Sequence, residues 1–328
     1  MTSAMWANSG PGSSGEADPG PAHPGPQADP GPVGGGLGGL GGLLPAGRRK
    51  PSRLMMTPAR RAAILIGVPI VFLILITGGY SVVSNGGTGS FPVSKSLDVV
   101  GGKLTVSLGG GGNATLHGSH TVSATARLAG TVRYHLKPPT LNVSEDNVSL
   151  DCPKVDAGNC TLDATIDIPA GVGLALSTGG GNLSASDLSS GGTLGTDGGS
   201  ITLNGTTGNL VLDSGGGNVV ASHASGPAVR ISTDGGEVSG SGITAGQVTV
   251  SSGGGDVTLA LTRSPHDLQV TSDGGNVTIV VPRGQYIVNA NADGGNVNPF
   301  DISSTRGAAD LITVQSGGGN ISVTPSGS

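Results

Sequence analysis

The stretch "TSDGGNVTIV", Thr271 to Val280, joins two short alternating segments through a Gly-Gly corner. Versions of it return down to the C-terminus. The polar residues that follow each pair are Asn182, Ser200, Asn218, Glu237, Asp256, Asn276, Asn296 and Asn320, at spacings of 18, 18, 19, 19, 20, 20 and 24. Six residues before them stand Leu176, Leu194, Leu212, Ile231, Val250, Val270, Ala290 and Val314. One residue after them stand Leu183, Ile201, Val219, Val238, Val257, Val277, Val297 and Ile321. The offsets eight before and three after are also mostly apolar, with Gly192, Gly240 and Pro299 among the exceptions.

Period two on both sides of a turn marks strands with one buried face. A unit of about 20 residues cannot bury that face alone, and it is too short for a helical pair or a propeller blade. These constraints leave an all-β, right-handed parallel β-solenoid over 171–324, with about eight coils stacked at roughly 4.8 Å. The hand follows from the bias of parallel β connections. The corner glycines are Gly180/Gly181, Gly198/Gly199, Gly216/Gly217, Gly235/Gly236, Gly254/Gly255, Gly274/Gly275, Gly294/Gly295 and Gly318/Gly319. Two demands are expected of both members of each pair: positive φ, and no room for a Cβ between stacked corners. The polar residue after the pair is expected to hydrogen-bond its own turn.

Phe91 to Ala170 alternates less regularly, as in "KLTVSL" and "LDATIDIP", and "SLGGGGNATL" looks like a unit with an extra Gly. It reads as an irregular β entry or cap that covers one end of the core. The last residues, 325–328, read as a short tail.

The 63 Gly and 21 Pro among 328 residues would suggest disorder if they had no period. That reading suits 1–61, a Pro/Gly-rich tail ending in a basic flank, whose "GGGLGGLGG" lacks the strand and Lys-Ser/Thr of a phosphate loop. Ala62 to Val83 carries no charge and is long enough to cross a bilayer as a helix. Arg48, Arg49, Lys50, Arg53, Arg60 and Arg61 all precede it, so the tail is expected in the cytoplasm and everything after the 84–90 linker outside. A cleaved signal peptide is the rival reading, and either one exports the C-terminal part.

From Phe91 onward ten Lys/Arg face eighteen Asp/Glu, which argues against a nucleic-acid partner. The only cysteines, Cys152 and Cys160, flank a turn-rich loop, and export favours a disulfide between them over two free thiols.

The succession "ATIDIPAGVGLALSTGGGNLSASDL", "GNLVLDSGGGNVVAS" and "LQVTSDGGNVTIVVPRGQYIVNANADGGNV" resembles the β-strand-repeat family of bacterial envelope proteins provisionally named adhesins. The resemblance covers Phe91 to Thr324. It implies a β-solenoid at the cell surface and brings no catalytic or binding residues with it.

Candidate chemistry is sparse. Asp197, Asp234, Asp273 and Asp293 stand three before the reference position, while Glu237 and Asp256 occupy it. Stacked on one edge, such carboxylates could hold Ca²⁺, although Asp and Asn at these places also simply shape turns. "DSGGG" at Asp213 to Gly217 echoes a serine-protease nucleophile, but other coils carry Ser or Thr where Ser214 stands. His117, His120, His135, His223 and His266 have no metal-ligand spacing. No cofactor or catalysis is expected. A glycan-active enzyme would need aromatic sugar platforms, and only Phe91, Tyr134, Tyr286 and Phe300 follow the apolar segment.

Two functional classes remain. One is a surface module that binds cell-wall or surface glycan or another envelope protein. The other is an envelope sensor whose tail meets a cytoplasmic partner. Deleting the tail would silence the second and spare the first.

Overall fold

The computed structural model describes residues 88–121, 125–156, 159–298, 302 and 304–327. The tail at 1–61, the apolar segment at 62–83 and most of the 84–90 linker lie outside them. Among the described residues no helix is long and apolar enough to cross a membrane.

The described chain is almost entirely β. Each coil places a strand segment before its Gly-Gly corner in a first sheet and one after it in a second, save the Asn296 coil, where only an isolated bridge at Val297 follows the corner. In the first sheet Leu176, Leu194, Leu212, Ile231, Val250, Val270 and Val314 form one in-register parallel column. In the second, Leu183, Ile201, Val219, Val238, Val257, Val277 and Ile321 do the same. All of these side chains are buried between the sheets. Equal residues at equal offsets therefore become continuous apolar stacks, and the core is a file of Val, Leu and Ile with hardly any aromatic contribution.

Coil order departs from chain order at both ends. The chain leaves strand Val277–Val281, runs out to strand Tyr286–Ala292, then returns to place Asp310–Ser316 inside it. Asp310–Ser316 pairs with Asp267–Ser272 on one side and Tyr286–Ala292 on the other. Ile321–Pro325 pairs with Val277–Val281. The Asn320 coil is thus an interior rung and the Asn296 coil the outermost one, so the coils read over 171–324 do not all stack in chain order.

The stretch read as an irregular entry contains the mirror of this arrangement. Strand Lys103–Leu108 lies between Asn147–Asp151 and Gly173–Thr178, and Ala114–Gly118 lies between Thr161–Ile168 and Leu183–Ser186. Strand Thr125–Tyr134 then adds to Thr161–Ile168 in antiparallel fashion and Gly89–Asp98 adds antiparallel to Thr125–Tyr134, while Thr140–Val143 adds antiparallel to Asn147–Asp151. Those antiparallel additions cover strand edges that would otherwise be free to template another chain.

The corner glycines obey only one of the two demands placed on them, and only in the second of each pair. None of the sixteen is among the glycines with positive φ. A Cβ on Gly181, Gly199, Gly217, Gly236, Gly255, Gly275, Gly295 or Gly319 would fall under 3.0 Å from the backbone of the neighbouring corner. The first glycines are freer: a Cβ on Gly180, Gly198, Gly216 or Gly235 meets nothing, and on Gly274 it meets Gly254 O at 3.5 Å. Only Gly294 and Gly318, near the outer end, are tighter. Positive φ instead occupies the opposite edge, where Asp187, Gly205, His223 and Gly242 succeed one another at 58°, 66°, 53° and 64°.

Candidate functional site

Seven of the buried polar side chains lie on one line: Thr178, Thr196, Ser214, Thr233, Ser252, Ser272 and Ser316. Each stands four residues before a reference residue, pointing inward at the corner. The Ser214 hydroxyl donates to Gly199 O of the preceding coil at 2.8 Å and accepts from Gly217 N of its own at 2.9 Å. Thr196, Thr233, Ser272 and Ser316 repeat the pair of bonds. The close glycine approach and the hydroxyl are one device, because the missing Cβ brings the carbonyl within reach of the next coil's hydroxyl. Ser214 is therefore bound into a structural ladder, and the echo of a protease nucleophile has this origin. The signal in the sequence is that every coil but the outermost, which has Ala292, carries Ser or Thr there.

Removing that hydroxyl would strand a part-buried N–H and a buried C=O. Ser214→Ala is expected to cost roughly 1–3 kcal/mol, as for other buried polar groups left unpaired. Ser214→Thr should be nearly neutral, since Thr196 and Thr233 fill the same place. Thermal melts of the two variants would check this.

A second ladder runs along the outside of the corner. Asn182 Oδ1 accepts from Ser200 N at 2.8 Å, Asn218 Oδ1 from Glu237 N at 2.9 Å, and Asp256 Oδ1 from Asn276 N at 2.7 Å. Asn276 Oδ1 then accepts from Asn320 N at 3.0 Å, and Asn320 Oδ1 from Asn296 N at 2.9 Å. These side chains bond the backbone of the next coil, which corrects the expectation that each bonds its own turn.

The calcium candidates sit in several different environments. Asp256 belongs to the outer ladder and also accepts from Asn276 Nδ2. Asp293 Oδ1 accepts from Asn291 Nδ2 at 2.9 Å. The backbone N–H groups of Glu237 and Asp273 bond neighbouring coils. Asp234 shares a groove of about 520 Å³ with Asp197 and Asp213 on the outside of the first sheet. Among the described residues no three His, Cys, Asp or Glu side chains gather as a metal site. His117 meets Ser186 Oγ, His223 meets Asn204 Oδ1 and His266 meets Asp310 Oδ1, each through Nδ1 at 3.1 to 3.2 Å.

The entry end has a different construction. Cys152 and Cys160 are joined in a disulfide, with Cα atoms 5.9 Å apart. Their loop stands where other coils have the Gly-Gly corner, and a Cβ on Gly110 would run into Cys160 O and Cys152 Sγ. Within the loop Asp156 is 1% exposed, and its Oδ2 accepts from His135 N and Leu136 N at 2.8 and 3.2 Å. Burial opposes its charge, but the backbone N–H groups of His135, Leu136 and Lys137 outweigh it and hold the pKa below the ordinary 3.8. The lowered value means that the anion stabilises the fold at neutral pH. That contribution is lost as pH falls through the folded pKa.

Reduction of this disulfide should cost roughly 2–3 kcal/mol by the chain-entropy account of a short closed loop. The loss should be visible as a lower melting temperature in dithiothreitol, and Cys152→Ser/Cys160→Ser should reproduce it.

No curated protein matches the chain. Among solved structures it is similar to a provisionally named cell adhesion protein from Clostridium sporogenes, at 17% identity over 72% of this chain and 100% of that one, TM-score 0.26. A provisionally named adhesin from Bacteroides fragilis is 15% identical over 72% and 97%, TM-score 0.39. A provisionally named lipid binding protein from Parabacteroides distasonis is 12% identical over 73% and 97%, TM-score 0.43. The family model for the Toastrack DUF4097 domain matches residues 141–325, more than half of the chain. With its stacked parallel coils and glycine corners, this chain belongs to the Toastrack DUF4097 family.

Proposed function

We propose that the protein is a membrane-anchored, extracytoplasmic binding or structural module without catalysis. In this reading 62–83 is the anchor, the basic tail is cytoplasmic, and a right-handed solenoid over 171–324 is presented outside behind its cap at 91–170. The hand rests on the strong bias of parallel β crossovers, and the orientation on the six cations ahead of the apolar segment.

One observation carries the non-catalytic reading. The inward hydroxyls, the side chains best placed to resemble nucleophiles, are bonded to backbone from coil to coil, Ser214 included. Polar chemistry at the corner is committed to holding rungs together. What the coils offer a partner is their outward side chains, such as Ser184, Thr202, Ser239, Thr258 and Thr278, which share one column on the second sheet with Val220 set between Thr202 and Ser239. Such a regular surface suits an extended glycan or the surface of another envelope protein better than a small substrate.

The test is a cell-wall pull-down and glycan array with the compact unit Ser81–Ser328. Saturable binding of an envelope polymer or protein that is recovered unaltered is expected. Release of cleaved glycan would sink the proposal.

A further inference from the structure

The entry end carries an exposed apolar pair on otherwise polar loops. Leu136 is 46% exposed and Val155 is 66% exposed, two of the few large aliphatics left in solvent among the described residues. They belong to different loops that Asp156 ties together, since its Oδ2 accepts from Leu136 N. A lysine adjoins each: Lys137 follows Leu136, and Lys154 precedes Val155. The point where the chain enters the fold is at the same end. Gly89 lies against the Tyr134 ring, and Gly89, Arg133, His135 and Asn159 line one open cavity of about 450 Å³.

Two further facts say what faces this end. Only Ser84 to Thr88 separate the apolar segment from the first strand, and five residues span at most about 18 Å. Charge is graded in the same sense. Over 91–170 six Lys/Arg meet seven Asp/Glu, whereas over 171–328 four meet eleven, and all four lysines after Phe91 precede Val155. An anionic surface would repel the coils and tolerate the entry end. Arg133 is already paired with Asp163, and Asp156 is an internal anion held by N–H groups, which leaves Lys137 and Lys154 as the cations beside the aliphatic pair.

We propose that Leu136 and Val155 dip into the interface of an anionic bilayer, with Lys137 and Lys154 on its headgroups, so that the solenoid stands on the membrane by its entry end. A short aliphatic contact flanked by cations is the usual chemistry of interfacial binding. The inference rests on the reading of 62–83 as an anchor.

The experiment uses the full chain in lipid nanodiscs, with an environment-sensitive fluorophore at Leu136→Cys or, as control, at the exposed Gln315→Cys; the native disulfide is left oxidised. In mixed phosphatidylglycerol–phosphatidylcholine discs the probe at 136 should shift to the blue and be quenched by lipid-borne spin labels, while the probe at 315 stays water-like. Lys137→Glu/Lys154→Glu should reduce the anionic-lipid-dependent part about tenfold or more. A water-like probe at 136 in a chain that resists alkaline extraction would overturn this inference alone. Loss of the whole chain on extraction would overturn the anchor, and with it the inference. Equal response at 136 and 315, or insensitivity to the double charge reversal, also counts against it.

Discussion

Gly275→Ala is expected to destabilise the domain by about 3–5 kcal/mol, the upper range for a single substitution, while Gly274→Ala stays within about 1 kcal/mol. The two glycines are adjacent, and neither has positive φ. Only the second lies against the next rung, where its new Cβ would press on the backbone of Gly255 and Asp256. Neither neighbour is a flexible side chain end, so the rungs themselves must part. That would also lengthen the bonds from the Ser272 and Ser316 hydroxyls to Gly255 O and Gly275 O, now 3.2 and 3.1 Å. Chemical denaturation of the two variants would measure the difference. Equal and small effects would mean that the corners are not in contact.

Truncation before Asp310 is expected to be more severe still. In a solenoid stacked in chain order it would remove the terminal coil and little else. Here it removes an interior rung. Ile312, Val314, Ile321 and Val323 are all buried, and at roughly 1.5–3 kcal/mol for each side chain the lost burial is on the order of 6–12 kcal/mol. Strand Tyr286–Ala292, whose strand partner is Asp310–Ser316, would come loose with it. Hydrogen exchange should show protection vanishing over 286–292 as well. Deleting Val257 to Asn276, one whole repeat of 20 residues, should be gentler, because Val277 then takes the register of Val257 and the stacks close up. If the truncated chain keeps full protection at 286–292, the interleaved end is wrong.

Local pattern carried the repeat unit a long way. The alternation around each Gly-Gly pair depends only on which residues face in, so period, strand placement and the Val/Leu/Ile columns were legible before any contact was known. The cysteine pairing was legible too, since the only two cysteines bound a loop of just nine residues rich in turn formers. The candidate site was less legible. Ser214 could be set aside by comparing coils, but one of its two bonds goes to a carbonyl in another coil, fifteen residues back.

Coil order and the division of labour between paired glycines needed the tertiary structure. Repeats with near-identical faces do not fix their own order: Val277, Val297 and Ile321 hold the same offset in their coils, and it is Ile321 that lies beside Val277. The choice is made by contacts between residues far apart in the chain, such as Tyr286–Ala292 against Asp310–Ser316, which no local window contains. In the same way, two adjacent glycines are indistinguishable as letters. Which one must lack a Cβ is decided by the neighbouring rung, and which edge needs positive φ by the path the backbone takes between sheets. The sequence by itself determined what a rung is; the order of rungs and the places where they touch came from packing.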